Sequence, residues 1–292
     1  MTTDDEVPGG HERAVAIAYH VLGSVSDAED VAQEAAAAWV TTDRSDVDDP
    51  EAWVAVVTTR RAIDRLRQRQ RRRETYIGPW LPEPRIRPRA MSATDPADVA
   101  VTADEISYAL LVVLDRLTPA QRVAFVLHDV FGEPFDRIAE VLGCTTAAAR
   151  QLASRARHRV RDAAPPTDPD DDVRWAVTDA FLAACQQGDH EGLLALLAPD
   201  AELVSDGGGV VSAARNVIVG ADRVARFLLG IWSSTVPSLV EFVSIGGDPG
   251  VVVHADGRAT VAVLEVHDGL ATAVRLIANP DKLHHLDGPP LE

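Results

Sequence analysis

The 292-residue chain has only two cysteines, Cys144 and Cys185, 5% aromatic residues and a single lysine, Lys282. Neither cysteine belongs to a Cys-x-x-Cys pair or a Cys/His cluster. That argues against a disulfide scaffold and a structural zinc site, and leaves two small buried thiols. No run approaches the ~18–20 apolar residues of a membrane helix. Met1 to Gly10 is acidic and polar, without the basic-then-apolar order of a signal peptide. The expectation is a cytosolic protein with no membrane partner and no cofactor. Basic charge is also scarce: the formal net charge is −17 at pH 7, which argues against nonspecific attraction of nucleic acid to the whole surface. What remains is ordinary for a folded protein, 46% hydrophobic and 25% charged, with length for two or three domains.

The charge is uneven along the chain. Residues 1–50 carry 12 acids against 2 bases, and residues 51–100 carry 6 acids against 11 bases. Arg60, Arg61, Arg65, Arg67, Arg69, Arg71, Arg72 and Arg73 form a tract whose one acid is Asp64. Such asymmetry points to nucleic-acid contact at chosen places on an acidic body.

Two segments read as linkers. Thr75 to Ala100 holds Pro79, Pro82, Pro84, Pro88 and Pro96, and Ala163 to Asp172 reads AAPPTDPDDD. Proline lacks an amide donor and like charges repel, so neither is expected to form regular structure. They divide the chain into domains at 11–74, 101–162 and 173–292, with linkers at 75–100 and 163–172.

The first block reads as helical. Ala14 to Leu22 ends at Gly23, a C′ residue. Ser26-Asp27-Ala28-Glu29 has capping-box spacing, and Asp27, Asp30 and Glu34 form an acidic face on the helix that follows. Asp49-Pro50 starts a third helix. Ala52, Val56, Thr59, Ile63 and Leu66 are its expected core stripe. Trp53, Val57, Arg60, Asp64, Arg67, Gln68 and Arg71 share a second arc, which combines a ring for stacking with groups that track phosphates.

The second block is helical with clear punctuation. Thr118-Pro119-Ala120-Gln121 is a capping box with proline at N1. A helix ending near Gly132, a short helix from Pro134 to Leu142, the turn Gly143-Cys144-Thr145 and a helix from about Thr146 to Arg161 make a helix-turn-helix pattern. On the last helix Ala149, Leu152, Ala153, Ala156 and Val160 are the expected buried stripe. Arg150, Gln151, Ser154, Arg157, His158 and Arg161 lie on the opposite arc. Arg150 and Gln151 suit base edges, while Arg155, Arg157 and Arg159 suit phosphates.

The third block changes character. Helices are expected at Val173–Gln187, near Glu191–Leu197 and at Ala221–Trp232. Strand-like runs cover Ala201–Ser205, part of Val210–Val219, Leu239–Ile245, Val251–His254, Thr260–His267 and Leu270–Ile277. Asp256-Gly257 and Asp268-Gly269 are hairpin signals. The expected fold class is a mainly helical N-terminal two-thirds followed by an α+β domain with an antiparallel meander.

The segments LGSVSDAEDVAQEA (22–35), DPEAWVAVVTTRRAIDRLR (49–67) and LTPAQRVAFVLHDVFGEPFDRIAEVLGC (117–144) resemble extracytoplasmic-function sigma factors of bacterial RNA polymerase. GPWLPEP (78–84), DGGG (206–209) and NPDKL (279–283) resemble the subgroup with a C-terminal SnoaL-like (NTF2-like) extension. Val210 stands where that subgroup usually has a basic residue. The resemblance implies sigma-2 and sigma-4 helical domains and an NTF2-like third domain. It implies core RNA polymerase as partner, through the largest-subunit clamp and the flap of the second-largest subunit, together with promoter DNA. Asp27, Glu29, Asp30 and Glu34 would grip the clamp. Trp53, Arg60, Arg61, Asp64, Arg67 and Arg71 would hold the melted −10 strand, and the loop Thr41 to Asp48 would catch a flipped base. Thr146, Arg150, Gln151, Ser154, Arg155 and Arg157 would read the −35 element. Trp80, Leu81, Pro82, Glu83 and Pro84 would dock on the extension, Asp206, Gly207, Gly208, Gly209, Asn279, Pro280, Asp281 and Lys282 would share in the interdomain regulation, and the extension would control activity in cis.

Two other readings stay open at this point. One is a ligand-responsive helix-turn-helix repressor. The other is a SnoaL-like isomerase or hydrolase, whose acid–base candidates are Asp206, His254, Glu265 and His267. The sequence shows no nucleophile, metal cluster or cofactor loop, so no catalytic or metal-binding residue is assigned. The extension is read as a protein–protein module or as a pocket for an unknown small ligand.

Overall fold

The computed structural model describes residues 10–43, 45, 47–73, 76–89, 106–163 and 170–286. The side chains of residues 70–73 and 285 also lie outside the described set. The chain forms two compact units: Met1–Glu74 with Leu110–Ala164, and Thr75–Ala109 with Pro165–Glu292.

The first unit is helical. Helices α1 (Gly10–Leu22), α2 (Val25–Thr41) and α3 (Pro50–Arg73) pack around Ala14, Ala32 and Val54. Gly23 has φ 66° and ends α1 as expected. The cap of α2 is not at Ser26. Ser24 takes an extended conformation and accepts from the Asp27 amide, so the helix starts two residues earlier. The core stripe of α3 is also broader than expected. Ala55, Thr58, Thr59, Ala62, Ile63 and Leu66 are buried, whereas Ala52 and Val56 are half-buried. Contact with both α1 and α2 covers more than one seam of the helix.

Helix α4 (Tyr108–Leu114) precedes α5 (Pro119–Phe125), whose Thr118–Gln121 capping box forms reciprocally. The chain then continues as a π-helical turn, Val126–Val130, before Gly132. The helix-turn-helix comprises α6 (Phe135–Leu142), a left-handed C-cap at Gly143 with φ 63°, and α7 (Thr146–Ala163). Ala149, Ala153 and Ala156 are buried on α7, with Leu152 and Val160 half-buried. Arg122 is 1% exposed; its Nε donates to the His20 carbonyl at 3.0 Å and its Nη1 to Asp115 at 3.2 Å.

The second unit is a seven-stranded mixed sheet, in the order β1-β4-β5-β6-β7-β2-β3, with helices packed on it. It contains β1 (Ile86–Pro88), α8 (Asp171–Gln187), α9 (His190–Leu196), β2 (Leu197–Asp206), β3 (Ile218–Val219), α10 (Ala221–Ser233), β4 (Pro237–Ile245), β5 (Asp248–Ala255), β6 (Arg258–His267), β7 (Leu270–Ile277) and α11 (Pro280–Leu283). Strands β4 to β7 form the expected antiparallel meander. Both Asp-Gly turns have positive φ at each residue, 51° and 72° for Asp256 and Gly257, 49° and 70° for Asp268 and Gly269.

Three features depart from expectation. Strand β2 joins β7 in parallel, so the sheet is mixed. The proline-rich segment supplies β1, which pairs antiparallel with β4; its proline, Pro88, is the last residue of an edge strand, where a missing donor is tolerated. In the acidic segment, Asp170 caps α8 and Asp171 and Asp172 open it. Their charges favour a helix N-terminus, which turns expected linker into helix. Of Val210–Val219, only Ile218 and Val219 are strand.

Leu193, Leu203, Val224, Ala225 and Val274 centre the core of this unit. Leu203 is fully buried. Leu203→Ala should lower the unfolding free energy by about 2–5 kcal/mol, measured by urea denaturation. A loss below ~1 kcal/mol would mean the site collapses around the missing side chain.

Candidate nucleic-acid interface and linker latch

The arginine tract of α3 is balanced by a neighbouring helix. Arg65 Nη1 reaches Asp27 at 3.2 Å and Asp30 at 3.0 Å, and its Nη2 reaches Glu34 at 2.8 Å. Arg61 bonds the other Glu34 oxygen at 2.8 Å, and Arg69 reaches Asp27 at 3.3 Å. Burial alone would push the Glu34 carboxyl up, but hydrogen bonds from Arg61 and Arg65 outweigh it and hold the group below its ordinary value. The acids that the tract itself lacks therefore come from α2. Glu29 and Asp30 remain exposed on that helix, whereas Asp27 and Glu34 are half-buried.

Trp53 is half-buried, with its ring 5.2 Å from Trp39 in an edge-on pair. Arg60 bonds Glu140 at 3.1 Å, and Arg67 approaches Asp64 at 3.5 Å on the exposed side of α3. The Arg71 side chain, and Arg44 and Asp46 of the 41–48 loop, lie outside the described residues.

On α7, Arg150, Gln151, Ser154, Arg155, Arg157, Arg159 and Arg161 are all exposed, opposite the buried alanines. Arg150 lies 5.6 Å from the Phe135 ring and Thr146 Oγ1 donates to Asp136 at 2.8 Å, both near the start of the helix. Arg157 bonds Asp129 at 2.6 Å, and Arg159 donates to Gln121 at 2.7 Å. The N-terminal end of α7 thus presents an Arg–Gln pair outward, with further guanidiniums along its length.

In the second unit, Trp80 to Pro84 lies against the sheet through a buried carboxylate. Asp206 is fully buried at the end of β2. Its Oδ1 accepts from Tyr76 Oη at 2.5 Å and from the Gly208 amide at 3.0 Å. Its Oδ2 accepts from the Leu81 amide at 2.8 Å and from Lys282 Nζ at 2.6 Å. Lys282 also donates to the Leu81 carbonyl, and its Nζ lies 4.0 Å from the centre of the Trp80 ring. Asn279 caps α11 through the Asp281 amide, with Pro280 at N1, and donates to Tyr76 Oη at 3.0 Å. Burial, then the bond to Asp206, pushes the Tyr76 hydroxyl well above its ordinary pKa, so it stays protonated as a donor. Leu81, Pro82, Glu83 and Pro84 are buried. The glycines permit close approach: a Cβ on Gly207 would meet the Val211 carbonyl at 2.4 Å, and one on Gly208 would meet the Asn279 side chain.

Three participants were not singled out from sequence: Tyr76, Tyr108 and Asp248. Tyr108 donates to the Pro82 carbonyl at 2.8 Å. Asp248 accepts from the Ala109 amide at 3.2 Å and from Arg174 at 3.0 Å, and burial pushes its carboxyl up to about 6. A signal was present for Tyr76, which stands two residues before GPWLPEP. The acid–base candidates do not converge. His254 bonds Glu241 at 3.0 Å, Glu265 bonds Arg275 at 2.8 Å, and His267 approaches Asp268 at 3.4 Å. His254 and Glu265 lie on the paired strands β5 and β6, but their register partners are Ala259 and Ala273.

The sequence matches the family models "Sigma-70 region 2" over residues 11–72 and "Sigma-70, region 4" over residues 107–160. It is 40% identical to "ECF RNA polymerase sigma factor SigJ" of Mycobacterium tuberculosis, across 96% of this chain and 92% of that one. It is 34% identical to "Probable ECF RNA polymerase sigma factor SigI" of the same species, across 93% and 91%. The crystal structure of M. tuberculosis SigJ is similar throughout, with a TM-score of 0.76 and 39% identity over 96% of this chain and 97% of that one. The chain belongs to the extracytoplasmic-function family of RNA polymerase sigma factors. It directs polymerase to promoters, its kinds of partner are RNA polymerase and promoter DNA, and the family is in general one of non-enzymatic proteins. No described helix is long and apolar enough to cross a membrane.

Asp206→Ala would leave Lys282 buried without its counter-ion. The expected cost is about 3–5 kcal/mol, read by chemical denaturation of the full chain. A cost below ~1 kcal/mol would show that water reaches the ammonium.

Proposed function

We propose that the two helical regions contact separate parts of one promoter while polymerase carries them, and that the C-terminal α+β domain, read as SnoaL-like, adjusts this activity in cis through the latched linker. The observation that carries the reading is the exposed face of α7, where Arg150 and Gln151 stand at the helix start with Arg155, Arg157 and Arg159 behind them. In this reading Arg150 and Gln151 contact base edges of the −35 element, Thr146 and Ser154 border them, and the later arginines hold phosphates. Arg60, Arg67 and Arg71 follow the melted −10 strand, with Asp64 among them and Arg61 divided between DNA and Glu34. Trp53 steadies that face through Trp39 as well as offering a ring edge.

Glu29 and Asp30 are the outward acids of α2 and meet the clamp of the largest polymerase subunit, with Asp27 and Glu34 behind them. The α4–α7 region meets the flap of the second-largest subunit. Residues 11–74, 101–162 and 173–292 act as three functional domains, joined by the segments 75–100 and 163–172. An acidic body with local basic faces binds DNA weakly alone, so the polymerase supplies the remaining free energy. The protein acts from the cytoplasm and performs no catalysis.

In transcription from a promoter panel with core polymerase, Arg150→Ala should relax preference at one −35 position, at about 1–3 kcal/mol for a bidentate base contact. Gln151→Ala should do so at a neighbouring position. An unchanged preference profile for both variants would sink the assignment.

The linker reading has its own readout. Trp80→Ala and Tyr76→Phe weaken the latch without touching α7, and each should change transcription output several-fold at fixed promoter preference. Output equal to that of the unsubstituted chain for both would make the latch purely structural.

A further inference from the structure

Ser205 and Asp206 are neighbours on β2, so their side chains point to opposite faces of the sheet. Asp206 belongs to the latch. Ser205 lines a cavity of about 620 Å³ between the other face and the helices α8 and α10. Its floor includes Val251, Val253, Ala262, Leu264, Val274 and Leu276, and its walls include Phe181, Cys185, Leu228 and Trp232. Among the described lining residues two are charged, Asp256 and Arg258, which are exposed at a hairpin and opposite in sign. The interior therefore offers apolar area with a few hydroxyls, among them Ser205 and Thr260. The volume falls within the ~300–1,000 Å³ typical of small-molecule sites.

We propose that this cavity binds a neutral, predominantly apolar small molecule, and that its occupancy stiffens the latch. A charged ligand would lose its hydration there without gaining an interior counter-ion. An apolar one gains the burial of its own surface and of the lining.

The route to the latch is short. Val211 and Ser212 line the cavity, and with Ser205 they also line a smaller one, about 230 Å³, bounded by Ile77 and Gly78 of the linker. The Val211 amide donates to the Gly207 carbonyl at 3.0 Å, and the Val211 carbonyl oxygen lies 2.4 Å from where a Cβ of Gly207 would be. A molecule pressed against Val211 and Ser212 therefore restrains Gly207 and Gly208, whose amide holds Asp206. The coupling half of the proposal rests on the reading of the latch as regulatory. The binding half does not.

The test uses the full chain and the neutral fluorophore N-phenylnaphthylamine. Titration should give a saturable, single-site rise in emission. Ala262→Phe and Leu228→Trp, each filling part of the cavity, should weaken that binding at least tenfold. Circular dichroism and thermal melts report whether each variant folds; if one does not, the other carries the comparison. At saturation the amides of Tyr76, Ile77, Gly78, Trp80, Leu81 and Glu83 should exchange with deuterium at least threefold more slowly. No saturable emission, or undiminished binding in the folded variants, overturns the site. Binding with unchanged exchange overturns the coupling. Neither measurement involves polymerase, so either failure is distinct from a failure of the Trp80→Ala transcription assay.

Discussion

A carboxylate taken fully out of water is tolerable only if every lone pair finds a donor. Asp206 meets that condition with donors from three separate stretches of chain: Tyr76 and Leu81 in the linker, Gly208 in the glycine turn and Lys282 after the last strand. No one of them suffices, so the three stretches order together. The lone lysine of the chain is well suited to this place. Its ammonium bonds the carboxylate and a carbonyl while a ring faces it, which a planar guanidinium would do less compactly. The proline-rich segment is thereby part of the α+β unit, although its composition reads as a spacer.

The helical unit handles charge differently. Apart from those of the buried Arg122 and Glu133, its ion pairs lie near the surface, where each is worth little and salt screens it. Arg65 nevertheless meets three carboxylates, and Arg61 shares one of them. Asp27, Asp30 and Glu34, among the acids proposed to meet polymerase, are thus already engaged with arginines of the helix proposed to meet DNA. Binding a partner at either surface exchanges one set of ion pairs for another, so its net gain is smaller than a count of charges suggests.

Helix starts and stops were legible because capping is local: Thr118 with Gln121, Asp49 before Pro50, glycine at 23 and 143. The hairpins at 256–257 and 268–269 were legible for the same reason. The helix-turn-helix could be read from spacing alone. Features set by distant partners were not legible. The acids that balance Arg61, Arg65 and Arg69 lie 27 to 42 residues earlier on another helix. Strand β1 exists only because β4 offers an edge, and β2 runs parallel to β7 across an intervening meander. Ser24 displaced Ser26 as cap although the spacing favoured the latter, because a short local pattern does not say which serine leaves the helix. Whether acid–base candidates such as His254 and Glu265 meet is likewise decided by strand register, which places other residues opposite each of them.

Strand β1 is the outermost strand on its side of the sheet, and it covers the hydrogen-bonding edge of β4. A linker that left the sheet altogether would uncover a row of unpaired amides and carbonyls flanked by Val243 and Ile245, a template for pairing with another chain. Solubility therefore limits how far the strap can travel. A rearrangement that let go at the Tyr76–Leu81 end while Ile86 to Pro88 stayed paired would hinge the segment without exposing that edge.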